Sequence, residues 1–428
     1  MKKLLLLLVT VALLASFAAG CGEEPVGPGN NGGGGDGDTT QKTELTLWEV
    51  SKPVLDLAIM DYEAENPDVT VVVEAVPASS PNLVTTLNMA IGAGLAPDML
   101  NTPSDFVWSL GQKGFIADLT PYGAADIKNL FTENTWNVAN ANPEKIYSLP
   151  FDSNIINFVY NKDLLDDIGV TAPKTLADMK NVGDKLQAKY GAESKKYAYC
   201  GPYSNESPSY TAWATFHYYW YLWRMGGDIF NADYTECTIN SPEAVEALQI
   251  LADFKNDGYV TPTYVAGEFY AGNVAMMCEV TKWVYESLPS ATVNIQFGMM
   301  PTLKEGVAPY TGLGLYCYAV TKDCKNKQEA YNFLKFLCTN EDYQVDYCKP
   351  HYFIPSLKSA LENSYFKTTD WKIILEQSKY AKATPGVENW QEMDEAIYRA
   401  MEAVFSGQTQ AQEALNVAKT TIDGLLKK

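Results

Sequence analysis

Residues 44–76 read ELTLWEVSKPVLDLAIMDYEAENPDVTVVVEAV, and their hydrophobic spacing changes twice. ELTLWEV alternates apolar with polar, the period of a short strand. After Ser51 the apolar positions Val54, Leu55, Ala58, Ile59 and Tyr62 fall on one helical face, which Asn66 and Pro67 close. VTVVVEAV is then a continuous β-branched run of the kind buried inside a parallel sheet. Downstream, Pro81 to Ile91 carries a further helical period and APDMLNT a further short strand. Strand, helix, strand, helix, strand predicts a doubly covered α/β sheet, whose ligands lie beyond the carboxyl ends of the strands. Trp48 with Glu49, the pair Ser79 and Ser80, and Asn101 to Asp105 occupy those ends.

The second half holds more helix. Ser241 caps and Pro242 starts a helix through Phe254 that Gly258 stops. Thr409 and Gln412 read as a capping box ahead of an amphipathic C-terminal helix on Leu415, Ala418, Ile422 and Leu425. No period of 20 to 50 residues repeats, which argues against solenoids and propellers.

Upstream of this body lies a different kind of sequence. Lys2 and Lys3 precede an apolar run from Leu4 to Ala19, shorter than the ~20 residues that cross a bilayer, and no basic stop-transfer cluster follows. That is the pattern of a secretory signal peptide over residues 1–20. Ala18, Ala19, Gly20 and Cys21 resemble the lipobox of bacterial lipoproteins, with Ala18 where leucine is usual. The resemblance implies that Cys21 becomes the lipidated first residue, and several acyl chains would hold it firmly where one is marginal. Residues 21–43, rich in Gly, Asn and Asp, then read as a flexible tether.

The chain has 428 residues; without leader and tether it is too long for one ordinary core and suits two domains. A hydrophobic share of 46% and an aromatic share of 12% are globular values. The net charge of -20 repels phosphate backbones and anionic headgroups, which excludes nucleic acid as a natural partner. Beyond Cys21 there are seven cysteines, an odd number with no CxxC spacing, and only His217 and His351 could assist them in holding zinc. They read as small buried apolar residues, with pairing open. The chain has no GxxxxGK[ST], GxSxG or HExxH, so P-loop hydrolysis, the α/β-hydrolase elbow and zincin chemistry are set aside. His351, in KPHYF, reads as a loop residue.

From Ser148 the chain runs SLPFDSNIINFVYNKDLLDDIGVTAPKTLADM. This resembles the stretch where maltose-binding-like extracellular sugar-binding proteins of bacterial ABC importers (solute-binding family 1) first cross between lobes. GGDIFNADYTECTINSPEAVEALQIL, FYAGNVAMMCEVTKW, FGMMPTLKEGVAPYTGLGLYCYAVTKDCKNKQEAYNFLKFL and FSGQTQAQEALNVAKTTIDGLL follow in that family's order. Leu176 departs from it, standing where many relatives carry tryptophan. The resemblance covers nearly everything after residue 44 and implies a type II, two-lobed periplasmic-binding-protein fold with discontinuous lobes and a ligand cleft between them. Residues 44–152 plus 299–360 would form lobe 1, and 153–298 plus 361–428 lobe 2. It implies a lipid-anchored monomer on the extracellular face of the cell membrane, periplasmic where an outer membrane exists. Its partners would be permease subunits with a separate ATPase. Neither cofactor nor metal is implied, and no catalysis.

A sugar presents apolar C–H faces and a rim of hydroxyls, so its receptor needs aromatic plates with carboxylates and amides. Trp283 stands where the family often places a stacking aromatic; Trp390 lies near another such position, at a different helical step. Trp48 and Glu49 close the first strand, Ser79 the second, and Asp105 follows the third. Asp152 stands at the first crossing, Glu279 just before Trp283, and Gly312 with Tyr316 in GLGLY, where glycine admits a close backbone approach. Trp213, Phe216, Trp220 and Trp223 form one helical stripe, usually a core feature, but Tyr218, Tyr219 and Tyr221 make the other faces aromatic too. That helix is either fully buried or lines the cleft, with Trp223 a candidate contact. Arg224 faces ligand or pairs with Asp228. Acidic residues in so acidic a chain are most simply solvated surface. An oligosaccharide is the expected ligand. Two alternatives stay open: a surface glycoside hydrolase, which needs two carboxylates about 5 to 9.5 Å apart, and a binder of a non-sugar solute such as a glycerol phosphodiester.

Overall fold

A strand of thirteen residues, Leu149–Asn161, organises the protein, and its two halves belong to different sheets. The structure, a computed structural model, describes residues 42–49, 53–76, 83–140, 144–201, 211–384 and 386–427. The leader, Cys21, the glycine tract, Ser79 and Ser80 lie outside the described residues.

In chain order the strands are β1 (Thr43–Trp48), β2 (Val69–Glu74), β3 (Met99–Pro103), β4 (Leu149–Asn161), β5 (Tyr197–Tyr199) and β6 (Val274–Val280). β7 (Ile295–Gly298), β8 (Thr311–Val320), β9 (Ile354–Pro355) and β10 (Ala381–Lys382) complete them. The order across the sheets is β2-β1-β3-β8-β4-β6-β5, with β10 on β8 and both β7 and β9 on β4. β1 runs parallel to β2 and β3, with helices Pro53–Glu65 and Leu83–Ala93 between them. The helix that begins at Pro53 buries Leu55, Ala58 and Tyr62, and Asn66 ends it by donating its side-chain amide to the Tyr62 carbonyl at 2.9 Å.

Along β4, residues 149–155 pair antiparallel with β8, while residues 156–161 pair with β6 and β7. The register shifts between Pro150 and Asp152, as a bulge shifts it, while the passage from one sheet to the other falls between Ile155 and Ile156. Asp152 then lies opposite Tyr316, and Asn154 opposite Gly314.

Two apolar clusters form the core. One gathers Leu45, Leu47, Leu100 and Leu313 and runs on to Val284, Phe297 and Trp371. The other packs helices Thr211–Met225, Pro242–Asn256, Trp390–Phe405 and Ala411–Leu426 around Trp220, Leu248, Ile397 and Leu415. Ser241 accepts from the Ala244 N–H at 3.3 Å and so caps the second of these helices as expected. The cysteines of the body are free and buried, from Cys200 to Cys348.

Four expectations are corrected. VTVVVE forms the sheet's edge, with Val72 39% exposed, because no strand covers the outer side of β2. The C-terminal helix is capped by Gln410 with no side-chain bond; Thr409 donates to Glu413, and Gln412 reaches across to the Asn240 carbonyl. The one capping box described is Thr175 with Asp178. His351 closes helix Glu341–His351, its Nδ1 on the Tyr347 carbonyl at 2.7 Å, so it is not in a loop. Finally, Arg224 neither pairs with Asp228 nor faces a ligand. It is buried, donating Nε to the Trp220 carbonyl and Nη1 to the Pro301 carbonyl, both at 3.0 Å. Asp228 pairs with Lys382 at 2.9 Å.

Candidate ligand-binding site

A cavity of about 450 Å³ opens where β8, helix Thr211–Met225 and the start of helix Trp390–Phe405 converge. Six rings line it: Trp213, Phe216, Tyr219, Tyr264, Trp283 and Trp390. The backbone of Leu313 and Gly314 with Thr384 forms one side, and Asp105 and Asp394 supply the carboxyls. No lysine or arginine lines it among the described residues.

Trp283 belongs to helix Thr281–Ser287, which leaves β6 directly. The first residue of that helix is tied to β4: Thr281 Oγ1 accepts from Asn157 at 2.8 Å and donates to the Ile155 carbonyl at 3.3 Å. Trp283 is nonetheless 49% exposed, the behaviour of a platform and not of a core ring. Its indole meets that of Trp213 at 5.7 Å between centroids, and Trp213 meets Tyr264 at 5.8 Å and Phe216 at 6.5 Å. On the opposite flank, Trp390 packs against Tyr219 at 5.8 Å. Asn389 turns the chain into Trp390 at φ +58°, a left-handed conformation that asparagine tolerates better than most residues.

One turn beyond Trp390, Asp394 accepts a hydrogen bond from the Tyr219 hydroxyl and lies 8% exposed. Burial pushes its carboxyl up to about 6, against the bonds from Tyr219 and Thr215 that favour the charged form. Asp105, in the first turn of helix Ser104–Gln112, is likewise pushed up to about 6 by burial. Glu279 stands behind the wall: it accepts from the Tyr264 hydroxyl and the Val280 N–H, and burial lifts it to about 7. A carboxyl beside aromatic faces suits hydroxyl groups, which donate to it.

Of the residues expected at the site, the cavity brings together Trp283, Trp390 and Asp105, with Glu279 one residue removed behind Tyr264. Glu49, Asp152 and Tyr316 form a polar cluster on the adjoining β-wall. Glu49 accepts from the Tyr318 hydroxyl at 3.0 Å, and Tyr316 is held above the usual phenol range by burial and then by Asp152, Asp105 and Glu49. Three expectations do not hold. Trp48 is 6% exposed in the core and donates its indole N–H to Glu74 at 2.7 Å. Trp223 is buried, donates to Asp228 at 3.1 Å and faces a different cavity. Gly312 leaves space for a ring: a Cβ there would stand 2.4 Å from Phe216 Cζ. Ser79 lies outside the described residues.

Sequence reading missed Tyr264, Thr384 and Asp394. Asp394 had a usable signal, being one helical turn from Trp390. Tyr264 and Thr384 sit in irregular segments with no period to place them. Asn154, outside the cavity's lining, adjoins it through the strand pairing. It faces β8 opposite Gly314, and its Oδ1 is buried without a hydrogen-bond partner. Among the described residues no His, Cys, Asp and Glu side chains gather into a metal site, and no helix is long and apolar enough to cross a membrane.

These features are those of a two-lobed α/β receptor fold. The bacterial extracellular solute-binding protein family model matches residues 58–401, and the chain belongs to that family. It is similar to the galactooligosaccharide-binding protein of Bacillus subtilis, 24% identical over 403 residues covering 91% of each chain. The maltodextrin-binding protein MdxE of the same organism is 23% identical over 411 residues, covering 88% of this chain and 89% of that one. Among solved structures, the cyclic alpha-maltosyl-1,6-maltose binding protein of Arthrobacter globiformis superposes with a TM-score of 0.78 at 23% identity. The match covers 90% of this chain and 99% of that one. A maltose-binding protein of Listeria monocytogenes in complex with maltose gives 0.74 at 22% identity, covering 90% and 98%. Both share the type II periplasmic sugar-binding fold.

Proposed function

We propose that this protein captures a neutral carbohydrate, an oligosaccharide, in the aromatic cavity and delivers it unaltered to the membrane permease of an ABC importer. The observation that carries this reading is the cavity's lining among the described residues: six aromatic rings, two carboxyls and neither lysine nor arginine. Sugar rings stack their C–H faces on indoles, and hydroxyls bond to carboxyls and backbone; a phosphodiester or uronate would meet Asp105 and Asp394 with no cation to offset them. Relatives named for galactooligosaccharides and maltodextrins support the class.

In this reading residues 44–152 with 299–360, and 153–298 with 361–428, act as two lobes. Ligand contacts made only when the lobes approach give the closed form its differential affinity. The leader is removed, Cys21 carries the lipid, and the glycine tract lets a monomer reach its permease from the outer face of the membrane. Cys21→Ser moving the protein from membrane to soluble fraction tests the anchor.

Thermal-shift screening of neutral mono- and oligosaccharides tests the ligand class: at least one neutral saccharide raises the melting temperature in a concentration-dependent way, while sugar phosphates do not. A hydrolase reading has one observation in its favour, that Asp105 and Asp394 open onto one cavity. Chromatography of the best-binding oligosaccharide after prolonged incubation decides it, since shorter products would overturn transport and intact ligand supports it.

A further inference from the structure

A second cavity, of about 490 Å³, is lined in part by Lys382, Ala383, Thr384 and Gly386, and by Trp223, the one residue expected at a ligand that it holds. The two linings share Thr384 alone. What divides them is a backbone contact. Asp105 lines the first cavity and its neighbours Ser104 and Trp108 the second, while Gly386 lies so close that a Cβ on it would stand 2.2 Å from the Asp105 carbonyl oxygen. Only glycine permits that approach.

The chemistry of the second cavity is that of the first. Trp108 and Tyr234, partly exposed, meet across it with ring centroids 6.3 Å apart, and Trp223 and Phe230 line its floor. Tyr234 holds φ at +57°, a left-handed backbone that bulky side chains rarely adopt. Such strain persists where the surroundings fix it and clusters at binding sites. The turn beneath is fixed: Asn231 Oδ1 accepts from the Thr235 N–H at 2.9 Å and the Glu236 N–H at 3.0 Å. Among the described residues the one cation on the lining, Lys382, is neutralised by Asp228. Asn137, on helix Glu133–Ala139, presents an exposed amide on the rim.

We propose that this cavity is a second carbohydrate site, taking a neutral mono- or disaccharide with its ring face on Trp108 and Tyr234 and its hydroxyls on Asn137 and Thr384. The size falls within the range of small-molecule sites, and paired charges with open aromatic faces select neutral polyols over ions. The inference rests on the carbohydrate reading of the first cavity and, Thr384 apart, on different residues.

Calorimetric titration of the protein with glucose, galactose, maltose and lactose tests it. At least one of these sugars gives a binding step that survives Trp283→Ala and weakens about tenfold in Tyr234→Ala. Asn137→Leu, on an exposed rim and harmless to folding, weakens the same step. Sugars that bind once only, with that step lost in Trp283→Ala and untouched by Tyr234→Ala and Asn137→Leu, overturn the second site and leave the first standing. A protein that binds none of the four at either place overturns the second site, and the wider saccharide screen then judges the first.

Discussion

The indole of Trp213 packs against that of Trp283 with centroids 5.7 Å apart and planes inclined by 57°. Trp213 is gripped further by Tyr264, Phe216, His217 and Trp220, whereas Trp283 leaves about half its surface open. One ring is thus the support and the other the platform. Trp283→Ala is expected to weaken saccharide binding by about 2 kcal/mol, some thirtyfold, as loss of a central aromatic anchor does. Its melting temperature should stay close to the parent's. Trp213→Ala should lower both affinity and melting temperature. Equal loss of stability in the two variants would falsify the division of roles.

Asp394 makes folding pH-dependent. Its carboxyl titrates near 6 in the folded chain against an ordinary 3.8. Between about pH 4 and pH 6 the folded state therefore keeps a proton that the unfolded state releases, and stability declines as pH rises through that window. The shift corresponds to ~3 kcal/mol at most. Asp394→Asn keeps an acceptor for the Tyr219 hydroxyl without a charge to bury. Denaturant midpoints should favour the variant at pH 7.5 and lose that advantage at pH 4.5. An advantage of the same size at both values would show that the carboxyl is not perturbed by burial.

Asn154 offers a cleaner separation of binding from stability. Its Oδ1 is buried without a partner opposite Gly314, which lines the cavity. A sugar hydroxyl donating to it would recover the lost bond, whose absence costs roughly 1–3 kcal/mol. Asn154→Leu should bind about tenfold more weakly while unfolding at the same or a higher denaturant concentration. Unchanged affinity would remove Asn154 from the site.

The cysteines give a chemical check on the core. All seven in the body are free and buried, and burial pushes Cys278 up to about 11 and Cys200 up to about 12. Thiolate is the reactive form, so these groups are inert while the chain is folded. With Cys21→Ser, a thiol-specific chromogenic reagent should detect none within minutes in buffer and seven in denaturant. Reductant should leave the melting temperature unchanged.

How much of this was legible depended on whether a residue's role is local. The helix from Pro53 was written in its five apolar positions, and the one from Pro242 in the Ser-Pro start that Ser241 makes good on Ala244. The place of Trp283 on the cavity's lining agrees with family order. Trp48 failed because its partner, Glu74, belongs to another strand, and nothing near Trp48 in the chain says that its indole N–H will be satisfied there. Tyr264 failed for the same reason: its bond to Glu279 joins a loop to β6. Side chains whose surroundings are assembled from distant segments leave no period to read.

Gly312 illustrates the point and yields a last test. As sequence it read as backbone laid open to ligand; in the structure its missing side chain is filled by the Phe216 ring, 2.4 Å from where a Cβ would stand. That distance is far inside van der Waals contact, and Phe216 is held on its other side by Trp213 and Trp220 at 6.5 and 5.3 Å. The ring cannot swing away without disturbing the wall that carries Trp283. Gly312→Ala should therefore destabilise the protein by about 1–3 kcal/mol through overpacking and weaken saccharide binding as well. Phe216→Ala on top of it relieves the collision, so the double variant should be less destabilised than the two single losses summed. Strict additivity in denaturant midpoints would mean that glycine and ring do not compete for the same space.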